Sequence, residues 1–568
     1  MNKDELRILA AKQAKDFLDN DKEYRMGYLE AEQPHHLTKK LSYIYANDVK
    51  EGVKTILSVD KEMAERAQRV LLGEDFKRFA DKIKKTVLNG GKVIFSGCGS
   101  SGRLSMQLER SWRNALIKLS EKYPHIKNAL DKYSESIGYI MTGGDYAVIR
   151  AVESFEDSAP LGAKQAEEWH LSEKDLMIGV TATGETTSIL ATCVRAMEDG
   201  ADVYMLICAD HKPLLSKMER ARLLYTNPKC SVMFLPCGAM ALTGSSRMQS
   251  STFEQFCASV ALDLTLNELL SSEGIKEPLI AYEEYGKFFV DAVDALMNEQ
   301  SLSEIAYATV KEQELYEKAG LITLYADDYL LDVLTDTTER APTFMTPPFC
   351  SKDMTDSEQS WAFVKNPNLS TDKAWEKCFL RRPRCIEWDK NIYRELNFAE
   401  KQIEKIPDIG CNALLKFEIG KEVMKKRQKP LLSHCLWVDV SDAPESFYKE
   451  CKKYTTYDEL TLDKLGADVK KTNMDIFEHI SIKLMLNTLS TGVMARMGRI
   501  SGNWMTCLAM SNKKLVDRSA RIVSDVCDVD YETAIYELYY SKELINKQGL
   551  NLSPCQETIK RLSAKISQ

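Results

Sequence analysis

Apolar positions recur at helical spacing through the first ninety residues. Residues 48–57 (DVKEGVKTIL) and 75–88 (DFKRFADKIKKTVL) place apolar side chains three and four apart. The pattern changes at 92–96 (KVIFS), a short β-branched and aromatic run followed by glycine, and residues 103–119 return to helical spacing. Further short apolar runs follow at 136–142 (SIGYIMT), 176–181 (LMIGVT), 203–209 (VYMLICA) and 231–236 (SVMFLP), with helical segments between them, including 187–198. Strands alternating with helices predict a parallel sheet covered on both faces. A long helix is expected over 252–270.

A second block begins near residue 282. Residues 285–296 read as helix, 321–325 (LITLY) as strand, 328–335 as helix and 431–440 as a later strand. Prolines at 342, 347, 348 and 367 predict a loop-rich stretch over 342–368. Residues 476–497 read as helix, and the last forty or so as small helices. The fold class is therefore α/β.

Length and charge narrow the functions. At roughly 150 residues per domain, 568 residues predict three or four domain-sized units. With 44% hydrophobic and 28% charged residues the composition is that of a globular chain. The net charge of −8 offers no basic surplus for nucleic acid, but leaves room for one local phosphate cradle. Residues 1–20 scatter charge and lack the apolar core of a secretory signal. No apolar run approaches the roughly 18 residues that cross a bilayer. The 15 cysteines form no CxxC pair and no cluster with histidine. These features lead us to expect a cytoplasmic chain with buried free thiols, no metal and no cofactor.

The strongest local signal is GCGSSGR at 97–103, between the KVIFS strand and a helix expected from about residue 104. Glycines permit a tight turn with exposed N–H groups, Ser100 and Ser101 add donors, and the helix N-terminus adds a positive dipole end. Gly97, Gly99 and Gly102 also match GxGxxG, the dinucleotide spacing, although no acidic residue follows at the expected distance. TATGETT at 181–187 and TGSSR at 243–247 are two more hydroxyl-rich turns at element boundaries. Each alone reads equally well as a helix cap; three together would converge on the sheet edge where such folds bind ligands.

These residues resemble the sugar isomerase (SIS) fold, in the family shared by N-acetylmuramic acid 6-phosphate etherase and glucokinase regulatory protein. The matching blocks are GCGSSGRL at 97–104, GGDYAVIRAVESFEDS at 143–158, TATGETT at 181–187, LTGSSRM at 242–248, LNTLSTGVMARMGRISGNWM at 486–505 and SNKKLVDR at 511–518. The resemblance implies phosphosugars held on hydroxyl-rich loops. In the single-domain etherases the TGSSRM and LNTLSTG blocks are contiguous. Here they stand about 240 residues apart, one domain's worth. That implies a second SIS copy, as in glucokinase regulatory protein, and an internal pseudo-dimer in a monomeric chain. The expected division is an N-terminal helical segment (1–60), a phosphosugar-binding SIS domain (61–280), a SIS domain with a degenerate loop (281–510) and a C-terminal helical lid (511–568). The degenerate loop is Tyr325-Ala326-Asp327-Asp328-Tyr329, without glycine and with two acids that would repel phosphate.

The etherase reaction eliminates lactate across C2–C3 of the phosphosugar, with one base for the C2 proton and one acid for the leaving oxygen. The resemblance carries one carboxylate over to Glu156, the catalytic candidate if the chain is an enzyme. The other position falls on Ser111, which cannot serve as an acid. Glu109 is two residues away, a helical rotation of about 200°. The family's lysine after SSRM is replaced by Gln249. Loss of a general acid typically removes on the order of 10²–10⁴ in rate, so a binding protein is favoured over a lyase or isomerase. By resemblance, Gly99, Ser100, Ser101 and Gly102 would hold phosphate, with Thr181 and Thr183 on the second loop and Ser245, Ser246 and Arg247 on the third. Glu153 would accept from sugar hydroxyls, and Lys514 would reach over from the C-terminal segment. The implied ligand is a hexose phosphate such as fructose 6-phosphate, and the implied partner a sugar kinase. His35-His36 reads as an exposed loop pair, His479 as a packed histidine, and LRRPR at 380–384 as a solvated basic turn.

Overall fold

The computed structural model describes residues 2–566 except 153, 211, 276–279, 355, 423–426, 428–431 and 551. The first sheet holds β1 (Val93–Gly97), β2 (Ile137–Met141), β3 (Leu176–Val180), β4 (Asp202–Ile207) and β5 (Cys230–Phe234). All neighbours are parallel, in the order β2-β1-β3-β4-β5. Every residue of β1, β2 and β3 is buried, as two covered faces require. β5, at the edge, alternates toward solvent.

Helix α1 (Gly99–Lys122) follows β1, α2 (Thr187–Glu198) follows β3, and α3 (Gln249–Ser272) follows β5. α1 begins within the glycine loop, five residues before the expected start near 104. Its missing N-terminal cap hid that start: Cys98 holds the N-cap position with no side-chain hydrogen bond. Ser100 and Ser101 therefore sit in the first helical turn.

The second sheet holds β6 (Leu321–Tyr325), β7 (Ala362–Lys365), β8 (Ser433–Asp439) and β9 (Thr456–Thr461), parallel in the order β7-β6-β8-β9. The first strand in chain order again lies second in its sheet. β7 falls inside the stretch expected to be loop, because four residues between prolines give too short a run to register. The edge strand β9 carries charged residues and escaped the pattern for that reason. Helix α4 (Leu330–Phe344) follows β6 and absorbs Pro342 in its last turn. α5 (Ile476–Arg496) precedes a two-stranded hairpin, Ile500–Ser501 with Trp504–Met505. α6 (Lys513–Cys527) opens three C-terminal helices, continued by Tyr531–Gln548 and Pro554–Ile566.

α3 and α5 are buried around nearly their whole circumference and pack on each other at the centre. The leading helices of the two sheets, α1 and α4, also pack together. Their interface is ionic. Arg103 of α1 pairs with Glu339 of α4 at 3.0 Å, and Arg247, on the turn before α3, pairs with Asp336 of α4 at 2.8 Å, all four buried. His479 is packed as expected, with Nδ1 3.1 Å from Asp332.

Two readings need correction. The LRRPR turn is not solvated: Arg381 meets Glu109 at 3.1 Å and Asp145 at 2.8 Å, and Arg384 meets Glu109 at 2.7 Å. The turn crosses from the second unit onto buried carboxylates of the first, which composition alone could not place. His35 is also buried. Its Nδ1 accepts from the Leu37 N–H at 3.2 Å and its Nε2 lies 3.4 Å from Glu62, while His36 stays exposed.

Candidate functional site

A 2-1-3-4-5 sheet diverges between β1 and β3, and ligands of doubly wound folds sit in the crevice that opens there. The loops after β1 and β3 are GCGSSGR and TATGETT. The first is shaped by glycine. A Cβ on Gly97 would stand 2.4 Å from the Ser101 carbonyl group, and Gly99 adopts φ +54°. Side chains are thereby excluded; Ser101 and Gly102 donate their N–H groups to the Cys98 carbonyl at 3.1 and 3.3 Å, which leaves those of Gly99 and Ser100 without a partner within the helix.

The third loop meets the first directly. Ser100 Oγ and Ser246 Oγ lie 2.8 Å apart, across 146 residues of sequence. Thr243 holds this loop in place by pairing with Trp504 and donating its N–H to the Asn503 carbonyl at 2.9 Å. Ser245 is buried beside it. Arg247 lines one cavity with Ser100, but its guanidinium donates to Asp336, Asn487 and Ser490, and to Thr491 at 2.9 Å. The structure thus places Arg247 in the seam between the two units. Ser101 also turns inward, donating to Glu254 Oε2 of α3 at 3.4 Å.

On the second loop, Thr181 Oγ1 lies 3.0 Å from Thr186 Oγ1 and Thr183 donates to Glu185 at 3.1 Å. Neither makes a capping bond for α2. Lys514, in the first turn of α6, reaches this loop. Its ammonium lies 2.7 Å from Glu185 and 3.0 Å from Glu156. Burial alone would push the Glu185 carboxyl up, but Lys514 and Arg220 outweigh it and hold Glu185 below the usual carboxylate range. Burial works against the Lys514 ammonium, and its two carboxylates more than compensate. Glu153 lies outside the described residues.

Ser111 and Glu109 face different neighbours. Ser111 accepts from Gln107 at 3.2 Å, in the seam beside His479. Glu109 is enclosed by Arg113, Arg381 and Arg384. In the second unit the equivalent turn is occupied by protein: Lys377 lies 2.5 Å from Asp327 and 3.1 Å from Asp328. Sequence reasoning passed over Glu185 and Glu254. Glu185 stands inside a motif that was read for its hydroxyls, and only the folded chain reveals that Lys514 and Arg220 converge on it.

All 15 cysteines are free and most are buried. Among the described residues no helix is long and apolar enough to cross a membrane.

Residues 76–197 match the family model of the glucokinase regulatory protein N-terminal SIS domain. N-acetylmuramic acid 6-phosphate etherase of Photorhabdus laumondii is 27% identical over 271 residues, which cover 47% of this chain and 77% of that protein. N-acetylmuramic acid 6-phosphate etherase 1 of Vibrio cholerae is 28% identical over 242 residues, covering 42% and 68%. Among solved structures, tagatose-6-phosphate ketose/aldose isomerase from Escherichia coli aligns with 82% of this chain and 95% of its own at TM-score 0.38 and 8% identity, too slight a likeness to build on. In sequence, residues 76–197 are similar to the N-terminal SIS domain of glucokinase regulatory protein, and just under half of the chain is similar to N-acetylmuramic acid 6-phosphate etherases.

Proposed function

We propose that this chain is a phosphosugar-binding protein of the glucokinase-regulator type, which takes a hexose phosphate such as fructose 6-phosphate and passes that signal to a sugar kinase. The observation that carries the reading is the 2.8 Å contact between Ser100 and Ser246, which joins two hydroxyl-bearing loops over the first turn of α1. Main-chain N–H groups, hydroxyls and the helix dipole there form a cradle for a phosphate dianion. Lys514 adds a cation from the C-terminal helices, and Glu153 and Glu156 are the acceptors proposed for sugar hydroxyls. The first unit is then the binding domain, within the boundaries given above. The second, whose loop is filled by Lys377, is a structural partner in an internal pseudo-dimer.

Binding is favoured over elimination because Ser111 stands at the acid's position and the loop carboxylates are tied to a cation. Glu156 and Glu185 both lie on the Lys514 ammonium, and Glu185 is held ionised. Ser111 accepts from Gln107 in the seam between the units. The similarity to etherases supports a second reading, a carbon–oxygen lyase acting on N-acetylmuramic acid 6-phosphate with Glu156 as its base.

Thermal shift with fructose 6-phosphate, fructose 1-phosphate and N-acetylmuramic acid 6-phosphate tests the pocket. At 100 times Kd a ligand adds about 2.7 kcal/mol, a visible rise in midpoint. No response to any of the three counts against the pocket. Release of D-lactate that disappears in Glu156→Gln would establish the lyase instead. Kinase inhibition that changes with the ester would support the regulatory half, and an unaltered kinase rate would remove it.

A further inference from the structure

Glu254 lies on α3, one layer behind the phosphate loop, and has no exposed surface. Two groups approach its carboxyl: the Ser101 hydroxyl at 3.4 Å from Oε2 and the Cys208 thiol at 3.9 Å from Oε1. Lys483 of α5 is the cation facing this region. Its own bonds go to Thr252 Oγ1 at 2.6 Å and the Arg247 carbonyl at 2.8 Å. Cys257 on α3 and Cys237 beside Cys208 complete the titratable surroundings.

Ser101 has one hydroxyl proton, and two acceptors would compete for it. A phosphate dianion only accepts hydrogen bonds, and so does an ionised carboxylate. While Glu254 is ionised, the Ser101 proton stays on it and Ser101 turns lone pairs toward the loop. If Glu254 carries a proton, the carboxyl O–H donates to Ser101 Oγ and the serine proton is free for the ester. We infer that Glu254 is a positioning residue that must be protonated for Ser101 to donate to a phosphate ester, so that binding retains or takes up one proton at this carboxyl. The inference rests on the phosphate reading given above. Burial supports it. Removal from water pushes Glu254 up to about 8, against smaller opposing effects of Ser101, Cys208 and Lys483.

Calorimetric titration of the full chain with fructose 6-phosphate, and separately with inorganic phosphate, between about pH 7.5 and 9.5 tests the linkage. In the wild type, affinity is expected to fall about tenfold for each pH unit above the Glu254 pKa. Glu254→Gln offers an amide donor at every pH and should hold its affinity through this range. Ser101→Ala should bind more weakly and without the slope. Lys483 also titrates near here, pushed down by burial to about 8. A slope that persists in Glu254→Gln would assign the effect to Lys483 and overturn the inference, as would a flat wild-type profile. The infrared C=O stretch of a protonated carboxyl provides a readout without ligand. Because Asp60 is also pushed up by burial, to about 7, the band is read in the wild-type minus Glu254→Gln difference spectrum, where it should be present at pH 7; its absence there overturns the inference. An ester that binds at no pH overturns the phosphate reading itself. Failure of the linkage alone leaves wild type and Glu254→Gln binding alike.

Discussion

Glu32→Gln would cut the tie between the N-terminal segment and α6. Glu32 ends a short turn, Glu30–Glu32, and is 2% exposed. It accepts from Arg518 at 2.5 Å and from Arg521 at 2.6 Å, one and two turns beyond Lys514 on the same helix. Burial alone would push this carboxyl up, yet the two guanidinium groups hold it at about 2. Against an ordinary value of 4.5, that shift corresponds to about 3 kcal/mol. Breaking a buried ion pair typically costs about 3–5 kcal/mol, the same range. If the loss falls on local opening of α6, amides of residues 513–527 should exchange on the order of a hundredfold faster. The sign with pH follows from the depressed pKa. The stabilisation is complete above the unfolded value of 4.5 and is lost as pH falls toward 2. Hydrogen exchange by mass spectrometry reads both effects. Wild-type α6 should lose protection as pH falls through that window, and Glu32→Gln should already lack it. Exchange in α6 unchanged by the substitution would refute the reasoning.

Three further outcomes are expected. Ser100→Ala should weaken ester binding by about tenfold or more, the worth of one charge-assisted hydrogen bond, with an unchanged melting profile; calorimetric titration reads it. Gly97→Ala puts a methyl 2.4 Å from the Ser101 carbonyl group and should cost about 1–3 kcal/mol by overpacking, with loss of binding, seen by denaturant unfolding and thermal shift. Asp336→Ala removes the carboxylate paired with Arg247 in the seam between the units and leaves Arg340 with Glu312 alone. It should cost about 3–5 kcal/mol, measured by scanning calorimetry.

The first sheet was legible because its strands are short apolar runs, and β1, β2 and β3 each end in a glycine- or hydroxyl-rich turn. Topology led us to expect three hydroxyl-rich turns at one sheet edge; the fold joins the first and third through Ser100 and Ser246, a contact that no local pattern encodes. The second sheet was harder to read. β7 is four residues long and β9 carries charge on an edge, so neither displays the periodicity of a buried strand. Long-range electrostatics were the least legible. Arg247 and Arg381 look like ligand or solvent cations in sequence. Only the packing of the two units gives them buried carboxylate partners, Asp336 of α4 for Arg247 and Glu109 and Asp145 for Arg381. Lys514 was placed by resemblance, and its seat between Glu156 and Glu185 depends on how α6 docks, which no local pattern encodes.

The central claim is that the first turn of α1 grips a dianionic ester with main-chain N–H groups and serine hydroxyls. A crystal of the full chain soaked in fructose 6-phosphate tests it most directly. The account predicts phosphate oxygens about 3 Å from Ser100 Oγ, Ser246 Oγ and the first amides of α1. A phosphate bound elsewhere, with those groups unoccupied, would contradict it.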